Sequence, residues 1–196
     1  GKFEFIAITH KHLDGFVVTG HNLPSSLDSS AEATVTAALE QMCQKIGYLC
    51  GPLNFDVIVS PGRATILEMS PRTGGNGLPA VIERHFGVDL EVLTLKRAVD
   101  DFFGTPEAGT CRRPCGSLVF GSLRAGSLAS ITDLAQLKTR VPEVYELIVS
   151  ARIGDSVQPF EHNGNSLGYA LFESSDYDQT VGRILHSLDI DVQPSA

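Results

Sequence analysis

The most informative segment of the sequence is Asn54–Gly77, which reads NFDVIVSPGRATILEMSPRTGGNG. Two runs rich in β-forming residues, 54–59 and 64–69, flank a Ser-Pro-Gly-Arg sequence that is typical of a hairpin turn. We take the turn as the three residues Pro61–Arg63, with a strand on either side. The segment therefore predicts an antiparallel β-hairpin that leads into a glycine-rich loop.

Two acidic residues face each other in this hairpin. With a three-residue turn, Asp56 lies directly opposite Glu68, and Asn54 lies opposite Ser70. All four side chains share one face because side chains alternate along a strand. Carboxylates whose Cβ atoms are roughly 5 Å apart repel each other, and a hard divalent cation between them removes the repulsion. The pattern predicts a magnesium site formed by Asp56, Glu68 and Ser70, while a solvated charged face is the simpler alternative.

The residues that follow the hairpin extend the same site. Arg72 comes two residues after Ser70 and is expected on the same face, where a guanidinium can form a salt bridge or hold a phosphoryl oxygen. Gly74 and Gly75 allow the backbone to approach a ligand closely. Asn76 is a candidate phosphate or substrate contact, and it is also an ordinary loop residue. Together these residue types indicate a site for a magnesium nucleotide.

Outside this segment the hydrophobic pattern predicts an α+β chain. We expect strands at 3–9, 16–19, 117–123, 128–131, 145–150 and 166–172. We expect helices that end near 46, begin at 79, and cover 90–99, 133–138 and 176–188. The stretch 20–26, which contains His21, predicts a loop. The stretch 104–109, with its Gly and Pro residues, predicts a boundary between a domain at 1–104 that holds the nucleotide site and a β-rich domain at 110–196.

The composition is that of a soluble globular protein. The 196 residues are 42% hydrophobic and 19% charged, with a net charge of −8. This charge argues against a nucleic-acid surface, which usually needs a basic face. No apolar run approaches the roughly 20 residues of a membrane span, and no signal peptide is visible. We therefore expect no nucleic-acid or membrane partner. Cys43 lies on an apolar helical stripe and is expected to be a buried free thiol, which is typical of a cytoplasmic protein.

The segment Glu68–Gly75 resembles the Glu-x-Asn-x-Arg signature of the ATP-grasp ligase family. The other acid, Asp56, lies twelve residues upstream, as it does in biotin carboxylase and its relatives. The Gly-His-Asn-Leu-Pro-Ser stretch at 20–25 and the helix before Gly47 follow the order of elements in these ligases. Residues from Gly116 onward look like the C-terminal β-rich domain of biotin carboxylase and of bacterial L-amino-acid ligases.

This resemblance implies a fold and an activity. The fold would be the ATP-grasp C-terminal subdomain, an antiparallel sheet with flanking helices, followed by a small β-rich C-terminal domain. ATP-grasp ligases join a carboxylate to an amine or a similar nucleophile through an acylphosphate, using ATP and Mg²⁺ or Mn²⁺. The chain would then act on a small-molecule carboxylate and an amine as a carbon–nitrogen ligase. The glycine pair after the arginine favours the L-amino-acid ligase branch.

The resemblance also assigns roles to individual residues. In this family the two acids and the asparagine hold one or two magnesium ions between the phosphates of ATP, and these roles fall on Asp56, Glu68 and Ser70. The arginine contacts the transferred phosphoryl group, so Arg72 is the expected catalytic residue. The remaining candidates are the nucleotide contacts Gly74, Gly75 and Asn76 and the substrate contact His21.

Two departures from the family pattern stand out. Ser70 occupies the place where the family usually has Asn, and a hydroxyl reaches less far than an amide. The N-terminal domain and the smaller ATP lobe, with its phosphate-binding lysine, are not recognisable in the sequence. We therefore expect the chain to be the C-terminal portion of a longer ligase, to need those lobes as partners and to be inactive alone. The sequence leaves open whether it forms a homodimer.

Two other functions remain open. A non-catalytic ATP-grasp-like scaffold or dimerisation module would leave Asp56 and Glu68 apart, or bonded to the protein's own arginines. A metal-dependent hydrolase would use the same acidic hairpin together with a water-activating base or a second acidic cluster. Neither the base nor the second cluster is obvious in the sequence.

Overall fold

The structure, a computed structural model, describes residues 3–100, 109 and 112–194. These residues form ten β-strands, five α-helices and one short 3₁₀-helix at Asn163–Asn165. The strands are β1 (His10–Asp14), β2 (Val17–Leu23), β3 (Asn54–Ser60), β4 (Arg63–Ser70), β5 (Cys115–Gly121), β6 (Gly126–Ile131), β7 (Val144–Val149), β8 (Ser156–Val157), β9 (Ser166–Glu173) and β10 (Ile190–Gln193). The helices are α1 (Ser29–Ile46), α2 (Leu78–Phe86), α3 (Leu90–Asp100), α4 (Leu134–Arg140) and α5 (Tyr177–Ser187). None of the described helices has the length and apolar character needed to cross a membrane.

Five strands form one antiparallel sheet in the order β1-β2-β5-β9-β7. Alternation along β9 directs Phe172 to one face of this sheet and Leu171 to the other. Helices α4 and α5 cover the first face, where Leu137 and Ile184 are fully buried against Phe172. Helix α2 covers the second face and buries Val81 there. The hydrophobic core therefore lies on both sides of the sheet.

A smaller sheet, β10-β6-β8, lies in the C-terminal half of the chain. Its buried residues Leu128 and Val192 pack with Phe120 and Leu167 of the main sheet in a third apolar cluster. This packing joins the two sheets. The predicted α+β class with a β-rich C-terminal half is confirmed.

Helix α1 begins and ends at clear capping residues. Asp28 accepts a 2.8 Å hydrogen bond from the backbone N–H of Ala31, and Gly47 ends the helix with a left-handed φ of 72°. The helix packs against the β3–β4 hairpin. The apolar stripe predicted from the sequence is buried at Val35, Leu39 and Cys43.

The first strand predicted from the sequence is wrong. Residues 3–9 form no helix or strand, and β1 begins at His10 instead. The predicted loop at 20–26 is also wrong in its first part, because β2 continues to Leu23. Residues 20–23 of this stretch do not have the composition typical of a strand, yet they belong to β2, which pairs with β1 on one side and β5 on the other. Distant parts of the chain supply these pairing partners, so the local pattern could not reveal them.

The predicted domain boundary at 104–109 lies outside the described residues, apart from Gly109. The main sheet takes β1 and β2 from the chain before this stretch and β5, β7 and β9 from the chain after it. The division into domains at 1–104 and 110–196 stays a prediction.

Candidate functional site

The β3–β4 hairpin brings the two predicted acids together. Asp56 is paired with Glu68 across the hairpin, and Asn54 is paired with Ser70. This is the register predicted from the sequence, and it is confirmed. The position of the two carboxylates follows from the pairing of two strands that are adjacent in the chain.

The turn that produces this register differs from the predicted one. Ser60 pairs with Arg63, which leaves a two-residue turn of Pro61 and Gly62, the latter with a φ of 69°. The register then shifts beyond the turn, where Leu67 is an extra residue in β4. Such a β-bulge adds one residue to one strand of a pair. The turn is one residue shorter than predicted and the bulge adds one residue to β4. The two differences offset each other in the register, so Asp56 still pairs with Glu68.

Asp56 has a partner within the protein. Its Oδ2 accepts a hydrogen bond from Nζ of Lys11, 2.6 Å away. Lys11 belongs to β1, and the two side chains are 30% and 31% exposed. One of the two acids is therefore neutralised by a lysine on a different element of the fold.

Glu68 and Ser70 interact with each other. The Ser70 hydroxyl donates a 2.8 Å hydrogen bond to Oε1 of Glu68. This bond orients the carboxylate from the neighbouring position on the same face of β4. The role of Ser70 as a metal ligand in its own right stays a prediction.

Arg72 extends from the loop after β4, and its Nη1 donates a 2.8 Å hydrogen bond to the carbonyl oxygen of Thr73. Among the ion pairs of the described residues, none joins Arg72 to Asp56 or Glu68. A salt bridge from Arg72 that holds the hairpin together is therefore not what the structure contains. The guanidinium keeps most of its donors available for a ligand.

The glycine-rich loop turns the chain from β4 into α2. A Cβ added to Gly74 would lie 2.4 Å from Cδ2 and 3.1 Å from Cβ of Leu78, so a side chain at this position would require Leu78 to move. A Cβ added to Gly75 would meet nothing within 4 Å. Asn76 and Gly77 follow with positive φ angles of 57° and 77°. Packing thus accounts for Gly74, while the backbone at Gly75 stays open to a ligand.

His21 lies on β2 directly across from Lys11. Its side chain is 8% exposed, and its Nδ1 lies 3.5 Å from Oγ1 of Thr9. Burial, followed by the positive charge of Lys11, lowers the pKa of His21 to about 4, against an opposing effect of Asp56. The imidazole is therefore neutral near pH 7 and offers hydrogen bonds instead of a charge.

A cavity of about 910 Å³ collects the predicted residues at one place. It lies between the β3–β4 hairpin, α1 and the first strands of the main sheet. Every residue predicted for the site lines this cavity except Ser70, which is hydrogen-bonded to the lining residue Glu68, and Lys11 lines it as well. Parts of the chain that are far apart in sequence therefore meet at one concave place, the kind of location where small molecules bind.

The two carboxylates that line this cavity could bind a divalent cation whose remaining ligands come from a bound phosphate group. Asp56 and Glu68 supply the hard oxygens that magnesium prefers. In the described part of the chain, no group of three or more His, Cys, Asp or Glu side chains could hold a metal. Magnesium commonly binds through one or two carboxylates together with phosphate oxygens, so the residues present fit a metal that arrives with a phosphate ligand.

Sequence reasoning missed Lys11. The residue precedes Asp56 by 45 positions and is not part of the hairpin motif. The first strand was expected at 3–9, which left Lys11 outside any element. A correct pairing of β1 with β2 would have placed Lys11 beside His21 and pointed to it.

Comparisons with known proteins agree with this architecture. Residues 119–188 match the family model for L-amino acid ligase C-terminal domain 2. A stretch of 75 residues is 32% identical to carnosine synthase 1 of Gallus gallus and covers 38% of this chain but 8% of that protein. The sequence similarity therefore lies in a small part of a much longer relative.

Solved structures share the fold of almost the whole chain. An L-amino acid ligase from Bacillus licheniformis has a TM-score of 0.77 at 19% identity, over 94% of this chain and 47% of its own. A phosphoribosylglycinamide synthetase from Anaerococcus prevotii has a TM-score of 0.75 at 16% identity, over 94% of this chain and 48% of its own. The chain thus spans about half the length of these two enzymes. At such identities the likeness shows the fold alone.

The family match at residues 119–188 and the fold shared with solved ligases agree with each other. The fold predicted from the sequence, an ATP-grasp C-terminal architecture that includes a β-rich C-terminal region, is confirmed. The resemblance predicted from the sequence is confirmed as well: this chain is similar to the C-terminal part of ATP-grasp carboxylate–amine ligases, with L-amino acid ligases among its relatives.

Proposed function

We propose that the protein is an ATP-dependent carboxylate–amine ligase and that this chain supplies part of its magnesium-nucleotide site. The observation that carries the proposal is the pairing of Asp56 with Glu68 at a cavity that Arg72 and the glycine-rich loop also line. The similarity to ATP-grasp ligases supports it. The carboxylate and the amine are small molecules in this proposal.

Asp56 and Glu68 would hold the divalent cation, Mg²⁺ or Mn²⁺, with Ser70 orienting Glu68 or adding a ligand. When bound, the cation would neutralise phosphate charge and help to orient the γ-phosphoryl group of ATP. The open backbone at Gly75, with Gly74 and Asn76 on either side, would contact the nucleotide phosphates. These assignments use residues that line one cavity, together with Ser70, which is hydrogen-bonded to one of them.

The proposed reaction consists of two group transfers. A carboxylate oxygen of the first substrate attacks the γ-phosphorus of ATP, so that ADP leaves and an acylphosphate forms. An amine nitrogen then attacks the acyl carbon, phosphate leaves, and the amide forms once the nitrogen has lost a proton. Arg72 would donate hydrogen bonds to the oxygens of the phosphoryl group as negative charge builds up during its transfer.

His21 would contribute to substrate binding. Because its pKa is lowered to about 4, the ring is neutral at physiological pH and can donate one hydrogen bond and accept another. It faces the same cavity as the acids. A neutral donor can orient a polar substrate group without adding charge to the magnesium site.

The rest of the ATP site would come from N-terminal lobes of the same protein. The chain spans 47% of the L-amino acid ligase with the similar fold, and the expected phosphate-binding lysine is not recognisable in the sequence. In this proposal the 196-residue chain alone does not turn over ATP at an enzymatic rate, above about 1 per second. An assay of ADP release by the isolated chain with Mg²⁺ and mixed amino acids tests this part.

A non-catalytic ATP-grasp-like scaffold is the second candidate. The observation that favours it is the ion pair between Lys11 and Asp56, since an acid committed to an internal partner is a feature of a structural role. The partner is a lysine, however, and not one of the arginines expected for this alternative. The metal-dependent hydrolase would need a water-activating base or a second acidic cluster. The described residues contain no group of three or more His, Cys, Asp or Glu side chains that could hold a metal.

Trapping of the acylphosphate separates the ligase from the scaffold. The whole protein is incubated with MgATP, a panel of amino acids and hydroxylamine, which converts an acylphosphate into a stable hydroxamate. We expect hydroxamate formation that depends on ATP and on the carboxylate, and we expect its loss in Asp56→Asn. The matched control is Glu161→Gln, an exposed residue in the loop before β9. ATP consumption without any hydroxamate, or no ATP consumption with any carboxylate, would contradict the proposal.

A further inference from the structure

The ion pair between Lys11 and Asp56 joins two elements that are distant in sequence. Lys11 lies on β1, Asp56 on β3, and Nζ lies 2.6 Å from Oδ2. The lysine ammonium is thus a positive charge at one of the two carboxylates that face each other across the hairpin. It occupies the side of the cavity that His21 also lines.

A cation at this place must compete with a divalent metal ion. Lys11 contacts Oδ2 of Asp56, and a metal ion would bind the same carboxylate. Two positive charges at one carboxylate repel each other. Each side chain of the pair is about one-third exposed, at 30% for Lys11 and 31% for Asp56. Partly exposed ion pairs are weak because water screens them. The lysine can therefore be displaced by an ion of higher charge.

Glu68 differs from Asp56 in this respect. Its carboxylate accepts a hydrogen bond from the neutral Ser70 hydroxyl, which orients it without neutralising it. Among the ion pairs of the described residues, none involves Glu68. The lysine therefore reduces the repulsion between the acids by holding one of them.

We propose that Lys11 is the resident counter-ion of Asp56, which it neutralises while the metal is absent and releases when a divalent cation binds. The inference rests on the proposed function, because it uses Asp56 as a metal ligand. Lys11 is in this sense a positioning residue: it sets how tightly the acidic pair binds the cation. The consequence is that removal of the lysine charge strengthens metal binding, whereas a purely structural lysine would weaken it.

Binding of Mn²⁺ to the whole protein tests the proposal. Because the two carboxylates fit a metal that arrives with a phosphate ligand, ADP is present at one fixed concentration for every variant, and free Mn²⁺ is measured by electron paramagnetic resonance against a protein-free MnADP control. We expect Lys11→Gln to bind Mn²⁺ about tenfold more tightly than the wild type, which corresponds to about 1.4 kcal/mol. Lys11→Arg, which keeps the charge, is expected to bind like the wild type. Lys45→Gln is the matched control, since it removes the same charge from the exposed end of α1, away from the cavity. Unchanged or weaker binding in Lys11→Gln would overturn the proposal.

A measurement on the wild type covers the case in which Lys11→Gln does not fold. Reductive methylation of lysines, quantified by mass spectrometry, reports how accessible each amine is. We expect Mn²⁺ to increase the methylation rate of Lys11 severalfold and to leave that of Lys45 unchanged. An unchanged rate at Lys11, under conditions where Mn²⁺ is bound, would show that the lysine is not released.

A third variant separates failure of this inference from failure of the proposed function. Asp56→Asn is expected to abolish Mn²⁺ binding. If it does so while Lys11→Gln binds like the wild type, the counter-ion role is wrong and the metal site stands. If Asp56→Asn binds Mn²⁺ as well as the wild type, or if no version binds Mn²⁺, both the metal role of Asp56 and the counter-ion role are wrong.

Discussion

The chemistry proposed for this protein depends on a few side chains that differ in their internal contacts. Asp56 is paired with Lys11, and Glu68 is bonded to Ser70. Arg72 donates a hydrogen bond to the adjacent carbonyl of Thr73 and has no ion pair with either acid among the described residues. Loss of the guanidinium should therefore disturb folding little, which makes Arg72 the side chain that best separates catalysis from stability.

We expect Arg72→Ala to lower kcat by about 100-fold or more while raising the KM for ATP far less. A contact that strengthens in the transition state appears in kcat, whereas uniform binding appears in KM. Steady-state kinetics of the whole enzyme, with carboxylate and amine saturating, provide both constants. Arg72→Lys should restore only part of kcat, because lysine keeps the charge but loses the planar fork.

A structural role for Arg72 gives a different result. In that case Arg72→Ala would lower the melting temperature and leave the kcat of the folded fraction nearly unchanged. Thermal unfolding measured beside the kinetics distinguishes the two roles. A well-folded Arg72→Ala enzyme with the kcat of the wild type would show that Arg72 does not take part in catalysis.

Burial of His21 predicts a loss of stability in acid. Its pKa is about 4 in the folded protein, below the ordinary value of 6.5, so between these pH values the unfolded chain binds a proton that the folded chain excludes. Stability from this group is therefore fully present above pH 6.5 and decreases as the pH falls toward 4. The full effect is about 3 kcal/mol, at roughly 1.4 kcal/mol per pKa unit.

Urea unfolding of the wild type and of His21→Gln between pH 7 and pH 4 measures this effect. The free energy of unfolding should fall less steeply in His21→Gln, because glutamine does not titrate. His186→Gln, on the exposed surface of α5, serves as the control and should follow the wild type. Parallel curves for the wild type and His21→Gln would mean that the folded protein does not exclude the proton from His21.

At the scale of elements, the β3–β4 hairpin shows which features of the site could be predicted from the sequence. Alternation and turn residues predicted the hairpin and the facing acids, and both are present. The predicted turn was one residue too long, and the bulge at Leu67 compensated for the error. A bulge of this kind is defined by the pairing of β4 with β3 and not by the residues of β4 alone, so the alternation along β4 did not reveal it. The predicted register was therefore correct partly because the shorter turn and the bulge have opposite effects on the pairing.

The glycine pair after Arg72 provides a matched test at the same scale. Gly74→Ala would bring a Cβ to 2.4 Å from Cδ2 and 3.1 Å from Cβ of the buried Leu78, and relief of these contacts requires the packed side chain at the start of α2 to move. We expect a loss of about 1–3 kcal/mol of stability. Gly75→Ala meets nothing within 4 Å and should change stability by less than about 0.5 kcal/mol. Equal urea midpoints for the two variants would contradict the packing role of Gly74.

At the scale of the whole molecule, one sheet connects the site to the C-terminal half. Strands β1 and β2 carry Lys11 and His21, and β2 pairs with β5. The segment that matches the L-amino acid ligase C-terminal domain begins within β5, at residue 119. The family resemblance predicted which parts would be present. It did not predict this sheet order, because pairing between strands about 95 residues apart leaves no pattern in either strand.

The proposed function depends above all on Asp56 and Glu68 as the metal site. The magnesium dependence of ADP release by the whole protein tests this role most directly. Glu68→Gln keeps the size of the side chain and an oxygen for the Ser70 hydroxyl, but it removes the charge. We expect this variant to lose at least about 100-fold in kcat/KM for MgATP and to need more Mg²⁺ for half-maximal rate, since even second-shell partners of a metal are worth about 10–100-fold. Glu161→Gln should retain the wild-type values. A Glu68→Gln enzyme with wild-type kcat/KM and wild-type magnesium dependence would contradict the proposal that Asp56 and Glu68 form the metal site.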